Sequence, residues 1–565
     1  MSLHKNVKKK LSYAYTGTEK PILWTTIGDR LKYIVEKYPD NDALIAVWKN
    51  ERYTYEHFYK ICKRAAKGLM HMGVKKGDKV GIWATNYTEW VVTQFSTAMI
   101  GAVLVTINPA LRENELEYIL SDSECQTLIL MEKFKSSKYI DMFYNIFPEA
   151  KEQTSGNLRS YKFPKLKNVI VLSKEGKSGM YTSTDVLNQG KEVSEEELNQ
   201  REQELDPDDI INIQYTSGTT GFPKGACLTH HNIVNNAYFV GANMKFTHND
   251  KLCIPVPFYH CFGMVLSNML CVNYGATMVL PNEFFDPLTT LKTIEKEKCT
   301  AIHGVPTMFI SQLEHPEFDT VDLSTLRTGI MAGAPCPTEL MKNVIGQMGI
   351  KDITICYGLT EASPVTNQTT IDESTKIRVE TVGRPLQHTE IKIIDSDTRK
   401  VVPIGIQGEM CIRGFQIMRG YHNKSEETKK TIDESRWLHT GDLGTMNEQG
   451  YCKITGRLTN MIIRGGENIY PRYIEEFLYS HPDIVDVYVF GSPDERYGEE
   501  VAAWIKLRPG SNLVEEDIRK FCSGQISHQK IPKYIKFVDD FPMTANGKIQ
   551  KFKMKEILIK ERGLC

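Results

Sequence analysis

The densest run of chemistry-bearing residues is Y-T-S-G-T-T-G-F-P-K-G at 215–225, immediately after the apolar run 210–213. It combines the hydroxyls of Thr216, Ser217, Thr219 and Thr220 with Gly218, Gly221 and the ammonium of Lys224. Glycine lets a backbone turn tightly and approach a ligand closely. Successive N–H groups in such a turn form a concave anion site, and hydroxyls and an ammonium add donors. The matching guest is a polyphosphate. A Gly/Ser/Thr cluster is more often a polar surface loop, but so dense a hydroxyl, glycine and lysine order argues against that here. The register is not that of a P-loop, which needs Gly-Lys-Ser/Thr after a glycine and four residues. Here Lys224 stands between Pro223 and Gly225.

Five further islands carry polar chemistry. Pro257-Phe-Tyr-His260-Cys-Phe262-Gly263-Met264 sets a histidine among aromatics. Tyr357-Gly-Leu-Thr360-Glu361 offers a ring, a hydroxyl and a carboxylate. Trp437-Leu-His-Thr-Gly441-Asp442 puts a carboxylate beside a glycine. Gly456-Arg457 and Ile462-Ile-Arg-Gly465-Gly466 supply an arginine and a glycine pair, and Asn546-Gly547-Lys548 presents a lysine on a glycine turn. Singly, each has an ordinary structural reading: a core histidine, a turn, a solvated lysine.

In this order and spacing the islands resemble the adenylate-forming (AMP-binding) superfamily along essentially the whole chain. Within it the sequence is most similar to medium-chain acyl-CoA synthetases of the family-member-two type. The stretch Gly408-Glu-Met-Cys-Ile-Arg-Gly414 is also similar to the coumarate-CoA ligase branch, which keeps an aryl acid open. The resemblance implies a role for each island. Thr216, Ser217, Gly218, Thr219, Thr220, Gly221, Phe222, Pro223 and Lys224 would cradle the β- and γ-phosphates of ATP. Tyr357 would stack on adenine, with Gly333, Ala334 and Pro335 lining that pocket. Thr360 would meet the α-phosphate, and Glu361 would hold Mg²⁺. Asp442 would accept from the ribose hydroxyls with Arg457 assisting, and Lys548 would bridge substrate carboxylate and α-phosphate. Gly465 and Gly466 would flank a tunnel for CoA. His260, Phe262, Met264, Val305, Met331 and Ala332 would line the acyl pocket, with His260 also counted among the catalytic residues.

The chemistry implied is activation of a carboxylic acid. A carboxylate is a poor electrophile, and joining it to AMP makes a mixed anhydride with a good leaving group. Attack on the α-phosphorus builds charge on equatorial oxygens, which positioned cations and N–H donors stabilise. A thiol then takes the acyl group and AMP leaves. In the superfamily a small C-terminal domain rotates between the two steps. The hinge falls two residues after the arginine, where an acid or lysine is usual and this chain has Thr459, followed by Asn460. That departure removes charge at the pivot.

An amino acid substrate is disfavoured, because segment 257–263 offers no acid to meet an α-amino group and only 17 residues follow Lys548. An aliphatic acid suits the slot, but one methylene discriminates by only about 1–3 kcal/mol, so chain length is not readable. A reading of another class is an inactive nucleotide-binding scaffold; the presence of Lys224, Glu361, Asp442, Arg457 and Lys548 argues against it.

The surrounding pattern must position these residues. Ile27, Leu31, Ile34 and Val35 recur at helical spacing, as do Phe58, Ile61, Ala65 and Leu69, and the runs 79–84 and 102–107 read as strands. This βαβ rhythm predicts an α/β fold with parallel-rich sheets. Short strand-like segments predict a β-rich subdomain over about 380–456, and a mixed α+β C-terminal domain follows. The boundary falls near Arg457, giving 1–456 and a mobile 457–565. Length of 565 residues, 41% hydrophobic content and net charge −1 suit a large globular enzyme and give no basic surface for nucleic acid. Thirteen scattered cysteines read as reduced core thiols. The apolar stretches 90–107 and 263–280 are interrupted by polar residues and read as core rather than membrane spans. A cytoplasmic location is expected; the lysine-rich start leaves a mitochondrial transit peptide as a minor alternative. The C-terminal Gly-Leu-Cys is not a peroxisomal signal. A homodimer is left open.

Overall fold

The computed structural model describes residues 10–216, 223–334, 336–464, 467–543 and 549–564, without the side chains of residues 459, 467 and 468. Helix Ile27–Lys37 buries Ile27, Leu31, Ile34 and Val35 on one face, and its first turn is capped by Thr26, whose side chain accepts from the Asp29 N–H. Helix Tyr55–His71 buries Phe58, Ala65 and Leu69, with Ile61 packed at the margin. Stretch 90–107 divides into helix Thr88–Met99 and strand Val103–Ile107. Gly101 turns the chain between them at φ +69°, a left-handed conformation that glycine adopts without a Cβ penalty.

These elements cover two large mixed sheets. The first has eight strands in the order Tyr181–Thr182, Asn168–Val171, Thr127–Leu130, Lys79–Trp83, Val103–Ile107, Ile210–Thr216, Lys224–Thr229 and Gly420–Tyr421. The first six are mutually parallel and the last two are joined antiparallel. The second has nine strands. Its interior runs parallel through Asp352–Gly358, Thr328–Met331, Ala301–Gly304, Lys251–Cys253, Thr277–Leu280 and Asp42–Ala46. Strands such as Val103–Ile107 are buried at every position, as a parallel sheet covered on both faces requires.

Strands Thr389–Ile394, Gly408–Gly414, Leu438–Met446 and Cys452–Arg457 form a small antiparallel sheet, the β-rich subdomain expected from the sequence. Strand Tyr13–Tyr15, which the sequence reading did not foresee, completes its edge against Thr389–Ile394. After the short 3₁₀ turn Leu458–Asn460 the chain enters a fourth sheet, with its own core of Ile462, Ile474, Leu478, Val487, Val489, Ile505 and Ile518. Helices Pro471–Tyr479, Glu515–Cys522 and Lys551–Arg562 accompany that sheet, giving the expected α+β ending. Among the described residues no helix is long and apolar enough to cross a membrane, and all twelve cysteines are buried and unpaired.

Candidate active site

Strands Ile210–Thr216 and Lys224–Thr229 pair antiparallel with Thr216 opposite Lys224. The residues between them, Ser217 through Phe222, lie outside the described residues. The pair is braced from below by Asp122, at the end of helix Glu113–Asp122. Asp122 accepts from the Tyr215 hydroxyl (2.8 Å) and from Lys424 Nζ (3.0 Å), while the Tyr118 hydroxyl donates to the Pro223 carbonyl (3.0 Å). Burial, and then the Asp122 charge, push the Tyr215 phenol well above its ordinary value, so it stays a donor.

Lys224 projects its ammonium over the ring of Tyr421 at 5.0 Å, and the Tyr421 hydroxyl donates to Glu361 Oε1 at 2.7 Å. Tyr421 reaches this position because Gly420–Tyr421 adds a short strand beside Ala226 and Cys227. Glu361 sits in the 3₁₀ turn Thr360–Ala362 that follows strand Asp352–Gly358, and its own carbonyl accepts from Met418 N–H. An ammonium, a phenol and a carboxylate thus converge. Tyr421 was missed by sequence reasoning; its only signal was an aromatic after a glycine, downstream of the strand 408–414.

The second convergence joins Tyr357, Asp442 and Arg457. The Tyr357 hydroxyl donates to Asp442 Oδ2 (2.7 Å), and Arg457 Nε donates to Asp442 Oδ1 (2.5 Å). Asp442 and Arg457 are cross-strand partners on Leu438–Met446 and Cys452–Arg457. Asp442 is displayed by an irregularity: Glu409 pairs with Leu443 but Cys411 pairs with His439, so strand Leu438–Met446 carries two extra residues at Asp442. Gly441 there has φ +68°, and its N–H donates to Glu409 Oε1 (3.2 Å). Burial opposes the Arg457 charge, but Asp442, then Tyr357 and Glu361, outweigh it and raise its pKa. Tyr357 lies near the end of strand Asp352–Gly358 and Glu361 sits in the turn just after it, so the two convergences are neighbours along one segment.

Gly333, at φ +86°, and Ala334 follow strand Thr328–Met331 and are open to solvent, a conformation and exposure that let backbone meet a ligand. A Cβ on Gly333 would stand 3.2 Å from Val305, which brings that pair together. Met331 and Ala332 are buried beside them in sequence. His260 caps the short helix Cys261–Gly263, its Nδ1 accepting from Phe262 N–H at 3.2 Å. That bond uses Nδ1 as an acceptor, which in a neutral ring leaves the proton on Nε2. Phe262 packs against the ring of His303 (5.6 Å), whereas Met264 is buried with its sulfur accepting from Gln214 Nε2 (2.8 Å). Met264 opens a π-helical turn, Met264–Met269, which periodicity did not reveal.

Thr459 lies in the 3₁₀ turn between the third and fourth sheets. Pro335, Gly465, Gly466 and Lys548 lie outside the described residues. Helix Pro471–Tyr479 nevertheless comes close to the site: Arg472, Glu475, Glu476 and Tyr479 share a cleft with Pro306, Thr307, Ile310 and Pro337, which follow the Val305 and Gly333 turns.

Residues 31–422 match the family model of AMP-binding enzymes, and residues 473–548 match that of the AMP-binding enzyme C-terminal domain. The chain is 53% identical to YngI of Bacillus subtilis (strain 168), covering 95% of this chain and 97% of that protein. It is 43% identical to the mitochondrial medium-chain acyl-CoA ligase ACSF2 of Danio rerio, covering 98% of this chain and 91% of that protein. Among solved structures, the anthranilate CoA ligase AuaEII in complex with anthranoyl-AMP superposes with a TM-score of 0.84 at 25% identity, covering 97% and 100% of the two chains. ATP-bound MatB from Rhodopseudomonas palustris gives 0.81 at 26% identity, covering 94% and 99%. On these grounds the chain belongs to the AMP-binding enzyme family.

Proposed function

We propose that this protein is an ATP-dependent acyl-CoA synthetase that activates a medium-chain fatty acid. The observation that carries the reading is the meeting of Lys224, Tyr421 and Glu361 with Tyr357, Asp442 and Arg457, in a chain whose 39–43% identical relatives are named medium-chain acyl-CoA ligases. Tyr357 is anchored through its hydroxyl, so its ring is held still for adenine to stack on. Asp442 is held in place by Arg457 and Tyr357, and its oxygens accept from the ribose. Thr216 and Lys224 face the outer phosphates together with residues 217–222. Gly333, Ala334 and Pro335 border the base. Thr360 meets the α-phosphate.

Glu361 fits a Mg²⁺ role: it is a carboxylate on a half-buried turn, with one oxygen fixed by Tyr421 and Lys224 close by. Mg²⁺ is commonly held by one or two carboxylates plus substrate phosphates. When bound, the ion neutralises phosphate charge. In the first step a carboxylate oxygen of the acid attacks the α-phosphorus, the bond to the bridging oxygen breaks, and pyrophosphate leaves. Lys548 serves the developing charge on both reactants. In the second step the CoA sulfur attacks the acyl carbon, the carbon–oxygen bond to phosphate breaks, and AMP leaves; the thiol proton is lost to solvent. In this reading His260 serves the acyl end, with Phe262, Met264, Val305, Met331 and Ala332 forming the slot.

We divide the chain at Arg457, with Thr459 as the pivot of a mobile C-terminal part and Gly465 and Gly466 admitting pantetheine. The separate hydrophobic cores before and after the turn Leu458–Asn460 support that division. The test is a panel of octanoate, palmitate, benzoate and coumarate with ATP, Mg²⁺ and CoA, scored by AMP and thioester formed. Octanoate should give the highest kcat/KM. Preference for coumarate or benzoate would replace the medium-chain reading, and no AMP from any acid would end the enzyme reading.

A further inference from the structure

Behind the Asp442 bulge lies a second cluster with no part in the reaction above. Glu409 and Cys411 stand two residues apart on strand Gly408–Gly414 and so point to one face. His439 is the cross-strand partner of Cys411. Cys411 Sγ lies 3.4 Å from His439 Nδ1, and Nδ1 lies 3.2 Å from Glu409 Oε2. One ligand atom from each residue falls within 4.8 Å of the others. A tetrahedral zinc ion bound through sulfur, nitrogen and oxygen at ordinary bond lengths would set its ligands about 3.3–3.6 Å apart. The backbone therefore already spaces three donors of the right kinds. The other ring nitrogen, Nε2, faces Asp433 Oδ2 at 3.5 Å. A carboxylate behind a histidine is the arrangement that orients a metal-ligating ring.

What fills the mouth of the cluster is an arginine. Arg399 Nη1 lies 3.2 Å from Glu409 Oε2 and 3.1 Å from His439 Nδ1. Its side chain is 63% exposed and it sits in a left-handed turn at φ +59°. Glu409 is 5% exposed and Cys411 fully buried, so the donors are built into the sheet while the cation on them is a surface group.

We propose that Glu409, Cys411 and His439 form a binding site for a thiophilic divalent cation, Zn²⁺ by its donor set, with Arg399 as the displaceable plug. Binding replaces the guanidinium, forms bonds to Sγ, Nδ1 and Oε2, and releases the thiol proton to solvent; a water completes four ligands. Sulfur and imidazole select zinc over magnesium, so the site is chemically distinct from Glu361. Glu409 Oε1 remains on the Gly441 N–H, so the ion would stiffen the bulge that displays Asp442.

The experiment loads chelator-treated full-length protein with Co²⁺ as a spectroscopic stand-in, with Mg²⁺ in large excess, and then displaces it with Zn²⁺. One equivalent with a thiolate-to-cobalt absorption band is expected. Cys411→Ser should abolish the band, His439→Gln should weaken binding at least tenfold, and Asp433→Asn should weaken it about tenfold or more. Arg399→Ala should bind about two- to fivefold tighter, because a competing surface ion pair is gone. Absence of the band in both wild type and Arg399→Ala would overturn the site. Its persistence in folded Cys411→Ser would assign the ion to another cysteine. Unchanged or weaker binding by Arg399→Ala would remove the plug.

Discussion

Asp442 and Arg457 allow a quantitative trial of the proposed nucleotide site. Arg457 Nε meets Asp442 Oδ1 at 2.5 Å, with the Asp442 side chain 9% and the Arg457 side chain 38% exposed. Unit charges about 4 Å apart at an effective dielectric of 20 attract by about 4 kcal/mol. Exposure of Arg457 to solvent and the desolvation of Asp442 reduce the net coupling to about 1–2 kcal/mol. Asp442→Asn also loses charge-assisted bonds to the ribose, worth about 1.5–3 kcal/mol, or a 10- to 150-fold fall in kcat/KM for ATP. Arg457→Met should cost less, because Tyr357 still holds the carboxylate. The double variant should resemble Asp442→Asn alone, since Arg457 has no carboxylate left to orient. The assay is acid-dependent pyrophosphate exchange into ATP across the four proteins, with thermal unfolding followed in parallel. Additivity of the two changes to within about 0.3–0.5 kcal/mol would refute the coupled clamp, and an unchanged kcat/KM for ATP in Asp442→Asn would remove it from the nucleotide site.

Asp122→Asn removes the charge that receives Tyr215 and Lys424; exchange should fall about tenfold with the acid KM unchanged, and an equal effect on both would assign Asp122 a general folding role. Burial raises the Asp486 carboxyl to about 6, with Tyr479, Tyr488 and Val487 bonding it the other way. The folded state then holds a proton that the unfolded state has lost between pH 4 and 6, so stability should decline as pH rises through that window, by up to about 3 kcal/mol. Asp486→Asn should flatten that decline in denaturant titrations at pH 4.5 and 7; an unaltered slope would refute the assignment. Lys548→Ala should cripple acyl-AMP formation while sparing thioester formation from supplied acyl-AMP, and equal loss of both would reject the division of labour. Gly466→Leu should stop CoA use while exchange persists, and parallel loss of exchange would count against the tunnel.

Sequence periodicity anticipated helix Ile27–Lys37, helix Tyr55–His71 and the split of 90–107, because burial of one helix face or of a whole parallel strand leaves a regular apolar imprint. Strand Tyr13–Tyr15 left none: three residues long, with two of them exposed, it is specified by its partner Thr389–Ile394 rather than by its own pattern. The islands around Tyr357, Glu361 and Asp442 drew notice only through their order and spacing along the chain, which carry the family resemblance; singly each reads as an ordinary turn or strand end. Their supports drew no notice. Asp122 and Tyr421 act on residues 93 and 60 positions away, and an aspartate at a helix end or a tyrosine in a two-residue strand carries no local mark of that task. The Asp442 bulge was equally hidden, since register is decided between strands and not within one.

The contact between Gln214 and Met264 has a consequence for how the two substrates sense each other. Gln214 lies on strand Ile210–Thr216, which leads to residues 217–222, and Met264 opens the π-helical turn beside His260 and Phe262. The neighbouring Asn268 donates to Gln94 Oε1, and Gln94 in turn donates to the Met264 carbonyl, so the turn is pinned by buried amides rather than by apolar packing alone. Such bonds are directional, and displacing one partner strands a buried donor. A chain entering beside Phe262 therefore cannot shift Met264 without disturbing Gln214, two residues before Thr216. Under the proposed function, this would couple the acyl slot to the phosphate strand, an arrangement suited to joining a carboxylate to an α-phosphate, because the rate depends on holding two reacting atoms in register.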